Sequence, residues 1–309
     1  MVVGIPKALL YWRYKDLWIK FFQELNIKTL ISPDTDKDIL KKGLNIGIDE
    51  GCLSGKVYLG HIQWLIDKKV DYIFIPRVSY YDKQSFVCTK FRAMYDVVNN
   101  TFRHEKLKLL SYNIDAKRDV DELQSFKEMA KDLKKTDEEI EKSYYSAKKY
   151  YENKINEEVG QQKLTLSSIK NKLKIMLVGH SYNIYDAFIG KPITEYLLKN
   201  GCYPIYADLF DRKKSKDKSN EISPTLKYEY NKELLGSTFA NKDKVDGIIL
   251  ISSFPCGPDS MTNDMIIRKL KDKPIINLII DEQEGMAGRE TRLESFIDII
   301  RFKKGGKNA

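Results

Sequence analysis

The chain has 309 residues, 42% of them hydrophobic, enough for about two globular domains with sizeable cores. It carries 53 Lys plus Arg against 44 Asp plus Glu, a net charge of +9, but the lysines alternate with acids, as in Lys131-Asp132-Leu133-Lys134-Lys135-Thr136-Asp137-Glu138-Glu139. That is the pattern of a solvated surface, so nucleic-acid binding is not expected. No apolar run approaches the ~20 residues that cross a bilayer, and the first residues lack the features of a signal peptide, so the expected location is cytoplasmic.

Val2-Val3-Gly4-Ile5-Pro6 reads as a strand and Leu9 to Leu25 as a helix with an apolar face of Leu10, Tyr14, Leu17, Ile19, Phe21, Phe22 and Leu25. A strand at Lys28 to Ser32 follows, then cap signals at Pro33 to Asp36 before a helix over Lys37 to Lys42. Tyr58 to Lys69 has helical periodicity, and Val70 to Pro76 reads as a buried strand stopped by proline. From Asp115 to Lys172 the chain is long, charged and free of proline. There Thr136-Asp137-Glu138-Glu139 fits a helix start, and Ile140, Tyr144, Ala147, Tyr151 and Ile155 recur at helical spacing.

The strand-and-helix rhythm restarts with strands at Lys174 to His180, Tyr203 to Asp208, Val245 to Ile251 and Pro274 to Asp281. Ile193 to Asn200 is a helix ended by Gly201, and Arg212 to Ser223 is expected to be a mobile loop. The implied fold is α/β: two doubly wound, Rossmann- or flavodoxin-like parallel-sheet domains over 1–114 and 173–309, with a helical insert or arm over 115–172.

Three of the four cysteines have marked contexts: Asp49-Glu50-Gly51-Cys52, Val87-Cys88-Thr89-Lys90 and Phe254-Pro255-Cys256-Gly257-Pro258-Asp259-Ser260. Each lies beyond a strand, where α/β sheets bind ligands. In a reducing compartment such cysteines read as metal ligands or as buried small side chains rather than disulfides. Cys202, at the start of a strand, reads as a buried hydrophobe. Three thiolates on a four-iron cluster would leave one iron open to a ligand. Lys56, Arg77 and Lys90 are candidates to tune such a group.

His180, in Gly179-His180-Ser181-Tyr182-Asn183, is either a catalytic or binding imidazole or a hydrogen-bonded structural residue. His61 and His104 read as structural or exposed. Asp281-Glu282 and Asp49-Glu50 read as helix-capping or ligand-binding carboxylates. There is no GxxxxGK(S/T) stretch, so ATP hydrolysis is assigned to a partner.

The motifs around Gly4 to Tyr11, Asp49 to Leu53, Asp71 to Arg77, Cys88 to Phe91, Gly179 to Asp186, Phe254 to Ser260, and Asp281 to Gly288 with Thr291 to Glu294 run in order along nearly the whole chain. Together they resemble the 2-hydroxyacyl-CoA dehydratase D-component superfamily, most closely its activase-related branch, which includes double-cubane cluster proteins. The resemblance implies an oxygen-sensitive iron–sulfur cluster, 4Fe–4S or double-cubane 8Fe–9S, with Cys52, Cys88 and Cys256 as ligands. It also implies low-potential electrons supplied by an ATP-hydrolysing iron–sulfur activator protein. The expected function is then reductive chemistry on an open-coordination cluster, as a reductase or dehydratase-like component acting on an acyl-CoA or small molecule, in a homodimer or heterodimer. The alternatives are a non-catalytic scaffold or electron-relay subunit, and a metal-free two-domain receptor for a small molecule.

Overall fold

A computed structural model describes residues 1–283 and 286–305, and it divides into two compact units. Unit 1 comprises Met1–Glu157 with Lys227–Glu229, and unit 2 comprises Glu158–Leu226 with Tyr230–Ala309. Both are mixed α/β with parallel sheets, as the strand and helix alternation implied.

In chain order the first elements are β1 (Val2–Ile5), α1 (Tyr11–Glu24), β2 (Lys28–Ile31), α2 (Lys37–Ile46), α3 (Leu53–Asp67), β3 (Tyr72–Phe74) and β4 (Arg77–Tyr80). Then come α4 (Thr89–Thr101), β5 (Leu109–Leu110), β6 (Asn113–Asp115), α5 (Glu122–Ala130) and α6 (Asp137–Ser168). The main sheet of unit 1 has the order β2-β1-β3-β5, all parallel, and β4 pairs with β6 beside it. Its core is aromatic: Trp18, Phe21, Phe22, Phe74, Tyr112 and Phe126 are fully or almost fully buried. Trp18 donates its indole N–H to the Tyr112 hydroxyl at 3.1 Å, which satisfies the polar edge of both rings. The Tyr112 ring stacks on Phe126 at 4.8 Å.

The start of α6 is a capping box. Thr136 Oγ1 accepts from Glu139 N at 3.2 Å while the Glu139 carboxylate accepts from Thr136 N at 2.9 Å. Ile140, Tyr144, Ala147 and Tyr151 are buried along one stripe, with Tyr144 against Phe126 and Tyr151 against Tyr14 of α1.

Unit 2 continues with β7 (Leu173–Val178), α7 (Ser181–Ile184), α8 (Lys191–Lys199), β8 (Cys202–Tyr206), α9 (Arg212–Ile222), α10 (Glu229–Asn241), β9 (Gly247–Ser253), α11 (Gly257–Lys269), β10 (Ile275–Ile280) and α12 (Met286–Gly305). Its sheet has the order β8-β7-β9-β10, again parallel throughout. Each four-stranded sheet therefore runs second-first-third-fourth by chain order, and in each the order reverses between the first and third strands. Every residue of β9 is buried, as expected of a central parallel strand covered on both faces. Gly201 ends α8 with φ +73°, a left-handed conformation that glycine adopts without strain.

Arg212–Ile222, expected as a mobile loop, is the helix α9. Asp211 caps it by accepting from Lys214 N at 2.9 Å, and its inward face is Ser215 and Ser219 rather than leucine. The partner is Gly236 of α10, where a Cβ would overlap the Ser215 carbonyl oxygen. Two helix backbones that approach this closely bury small polar residues, so the helix leaves no apolar stripe in the sequence. Gly43 and Gly60 serve the α2–α3 crossing of unit 1 in the same way, each facing a backbone carbonyl of the opposite helix. No described helix is long and apolar enough to cross a membrane.

Candidate functional site

The strand order puts the carboxyl ends of β7 and β9 side by side in unit 2, at the point where an open α/β sheet leaves a crevice. β7 runs through Gly179 into His180, the N-cap of α7. A Cβ at Gly179 would stand 2.6 Å from the Ile251 carbonyl oxygen, so only glycine lets this loop cross so close to β9. β9 ends at Ser253, and Cys256 is the N-cap of α11, with Asp259 in its first turn.

These two ends meet. His180 Nε2 lies 2.8 Å from Asp259 Oδ1, and Asn231 Nδ2 of α10 donates to the same oxygen at 3.0 Å. The Cys256 thiol adds a weaker hydrogen bond to this carboxylate, whose Oδ2 has no partner of its own among the described residues. Ser253 Oγ donates to Asn183 Oδ1 at 2.8 Å, tying the end of β9 to α7. The His180 ring stacks on Tyr182 at 4.9 Å and meets the edge of Tyr230 at 6.2 Å.

His180 and Asp259 are 7% and 3% exposed, so the pair is largely withdrawn from water. Burial alone would raise the Asp259 pKa. The charge and hydrogen bond of His180, with the bonds from Asn231 and Cys256, outweigh it and hold the carboxyl below its ordinary value. An ionised Asp259 can only accept hydrogen bonds, so a neutral His180 must carry its proton on Nε2 and leave Nδ1 as the free base. The arrangement couples one imidazole and one thiol to a single buried charge.

Sequence reasoning singled out Cys256 and His180 but gave Asp259 and Asn231 no role. The signal for Asp259 was its place three residues after Cys256, in the first turn of the helix. Asn231 has no local signal, because its role depends on the packing of α10.

In unit 1, Cys52 and Cys88 are the N-caps of α3 and α4, both half-buried. Lys56, one turn beyond Cys52, is buried, while Arg77 pairs with Asp96 at 2.9 Å and stacks on Tyr95. Asp49 and Glu50 are exposed in a turn, and no carboxylate caps α3. The ends of β1 and β3 border a small apolar crevice lined by Pro6, Leu9, Tyr58, Pro76, Phe91 and Met94. The Tyr58 hydroxyl is buried without a partner among the described residues. Leu9 is held there at φ +49°, a strained position for a branched side chain.

His61 is fully buried between Ser32 Oγ at 2.8 Å and Thr35 Oγ1 at 3.0 Å; His104 is exposed. Burial, helped by the charge of Lys7, pushes the His61 pKa down to about 3. Cys202 is buried at the start of β8, and burial raises its pKa. Asp281 accepts from Gln283 N at 2.8 Å, a local turn, and the Glu284 and Gly285 of that motif lie outside the described residues.

As donors, Cys52, Cys88 and Cys256 suit iron and sulfide, each thiol sitting where a helix N-terminus offers unpaired N–H groups. Among the described residues, however, no three of His, Cys, Asp and Glu stand in metal-holding geometry.

Residues 2–210 match the family model described as "CoA enzyme activase uncharacterised domain". The chain belongs to this CoA enzyme activase family. The match agrees with the activase-related side of the expected resemblance and does not extend to the D-component dehydratases. It also overturns the expected function. An activase acts on a CoA enzyme, whereas the role the resemblance implied was to accept electrons from an activator and carry out reduction on an open cluster, for which the described residues hold no metal-binding group.

No curated protein matches the sequence. Among solved structures, a sugar transporter from Clostridium phytofermentans aligns at 15% identity over 92% of this chain and 83% of its own, but with a TM-score of 0.21 it carries no argument.

Proposed function

We propose that this activase-family protein is a component of the activation system of a CoA enzyme, and that His180, Asp259 and Cys256 of unit 2 form its working site. The observation that carries the reading is the buried Asp259 carboxylate, which binds an imidazole at 2.8 Å and a thiol at the switch point of the sheet. The family match supplies the target class.

In this site Asp259 fixes the His180 ring and its tautomer. When Cys256 gives up its proton, the new negative charge beside Asp259 is balanced by a proton taken up at His180 Nδ1. The pair thereby lets a half-buried thiolate form without an uncompensated charge. Asn231 holds the carboxylate in place, and Tyr182 and Tyr230 limit access of water to the ring.

The same reading assigns ATP hydrolysis to another polypeptide, since the chain has no phosphate-binding P-loop sequence.

The deciding experiment is an anaerobic activation assay. A 2-hydroxyacyl-CoA dehydratase, ATP and a one-electron reductant are combined with and without this protein, and with its His180→Asn and Cys256→Ser variants. Turnover is expected to require the protein and to fall about 100-fold with either variant, the usual scale for loss of a proton-transfer group. Activation that proceeds equally without the protein, or equally with His180→Asn, rules the proposal out.

A further inference from the structure

At the end of unit 2 opposite the His180 site, a groove of about 930 Å³ lies between the last turns of α6, the start of α9 and the loops before β7 and β9. That volume is within the ~300–1,000 Å³ typical of small-molecule sites. Seven lysines and three aspartates line it. The aspartates are committed. Asp246 accepts from Lys304 at 2.9 Å and from Lys174 N at 2.8 Å, Asp211 caps α9, and Asp243 pairs with Lys242 at 3.3 Å.

Three of the lysines are likewise engaged. Lys174 donates to the Leu166 carbonyl oxygen, Lys244 to Asn241 Oδ1, and Lys304 pairs with Asp246. The ammonium groups of Lys163, Lys170, Lys172 and Lys214 have neither ion pair nor hydrogen bond among the described residues. Their mutual repulsion across one concave surface is uncompensated. It is aggravated at α9, whose first turn is Arg212-Lys213-Lys214 with no acid, placing cations at the positive end of the helix dipole. An anion in the groove relieves both. Beside the lysines, Phe210 is half-buried on the groove wall with Val159 and Leu166, an apolar face suited to a planar ring.

We propose that this groove binds a nucleotide bearing two or more phosphates, the phosphates on Lys163, Lys170, Lys172 and Lys214 and the base against Phe210. Free ADP and the 3′-phospho-ADP half of coenzyme A share this chemistry. The site is separate from the His180 group and does not depend on the activation role proposed for it.

Equilibrium titration of the full-length protein with ADP, coenzyme A and inorganic pyrophosphate tests the proposal. ADP or coenzyme A is expected to saturate one site, more weakly as salt rises, and whichever binds tighter identifies the source. Lys163→Glu/Lys214→Glu should weaken that binding at least tenfold, while Lys41→Glu/Lys131→Glu, with the same charge change on exposed positions of unit 1, should leave it within twofold. Phe210→Ala should weaken ADP binding and leave pyrophosphate unaffected. Circular dichroism melts establish that each variant is folded. No saturable nucleotide binding, equal loss in both lysine pairs, or pyrophosphate bound as tightly as ADP overturns the proposal.

Discussion

His180 Nε2 and Asp259 Oδ1 stand 2.8 Å apart, although one follows β7 and the other follows β9, so the pair stitches together the two strands that flank the switch point of unit 2. Because Asp259 is held below its ordinary pKa, it contributes stability that is full above the normal carboxylate range and is lost as pH falls through its lowered folded value. Asp259→Asn should cost roughly 3–5 kcal/mol at neutral pH, as expected for breaking a buried pair. Urea unfolding from pH 7 down to pH 2 should show the variant with a shallower acid limb than the native protein; parallel curves would refute the assignment.

His61 acts in a different pH window. Its pKa falls from 6.5 in the unfolded chain to about 3 in the folded one, so the folded state excludes a proton that the unfolded state binds. Its stabilisation is complete above pH 6.5 and declines as pH drops from there toward 3, by about 1.4 kcal/mol per pH unit at most. His61→Leu should remove that dependence and, by taking away the imidazole that bonds the Ser32 and Thr35 hydroxyls, cost about 1–3 kcal/mol at pH 7.5. A variant whose stability still declines as steeply between pH 6.5 and 4 would contradict this account.

Two glycine-to-alanine changes should have opposite signs. At Gly236 a methyl group overlaps the Ser215 carbonyl, so α9 and α10 must separate, and a loss of about 1–3 kcal/mol or more is expected. At Gly160, inside α6, a methyl group meets nothing within 4 Å, and Gly160→Ala should stabilise by about 0.5–1 kcal/mol through helix propensity. Thermal melts of both variants check the pair.

The thiols should sort by burial. Cys52, Cys88 and Cys256 are half-buried, whereas Cys202 is buried with a raised pKa. Brief iodoacetamide treatment of metal-free native protein at pH 8 should alkylate the first three and spare Cys202 until denaturant is added. Mass spectrometry of the peptides reads the order directly, and early labelling of Cys202 would show that β8 opens.

Much of the fold was legible in the chain itself. The apolar runs of β7, β9 and β10, the Thr136–Glu139 capping box, the Ile140 to Tyr151 stripe and the Gly201 helix stop are local signals, because strand burial, capping and left-handed turns depend on residues close in sequence. The positions of Cys88, Cys256 and His180 after strands were legible for the same reason, whereas Cys52, also expected beyond a strand, follows helix α2 and caps α3. What the cysteines do was not, since ligation depends on which thiols meet in space.

The alternation of strands and helices was enough to determine an α/β protein with parallel sheets. Only the tertiary structure decided the rest. The strand order that sets β7 beside β9 brings Asp259 and Asn231 to His180, and the close crossing of α9 on α10 makes a helix of a segment whose buried face is serine and glycine. The groove that gathers four lysines unpaired among the described residues is likewise assembled from separate stretches of chain. Hydrogen bonds, backbone contact and charge repulsion between distant residues are properties of distance in space, and linear order does not carry them.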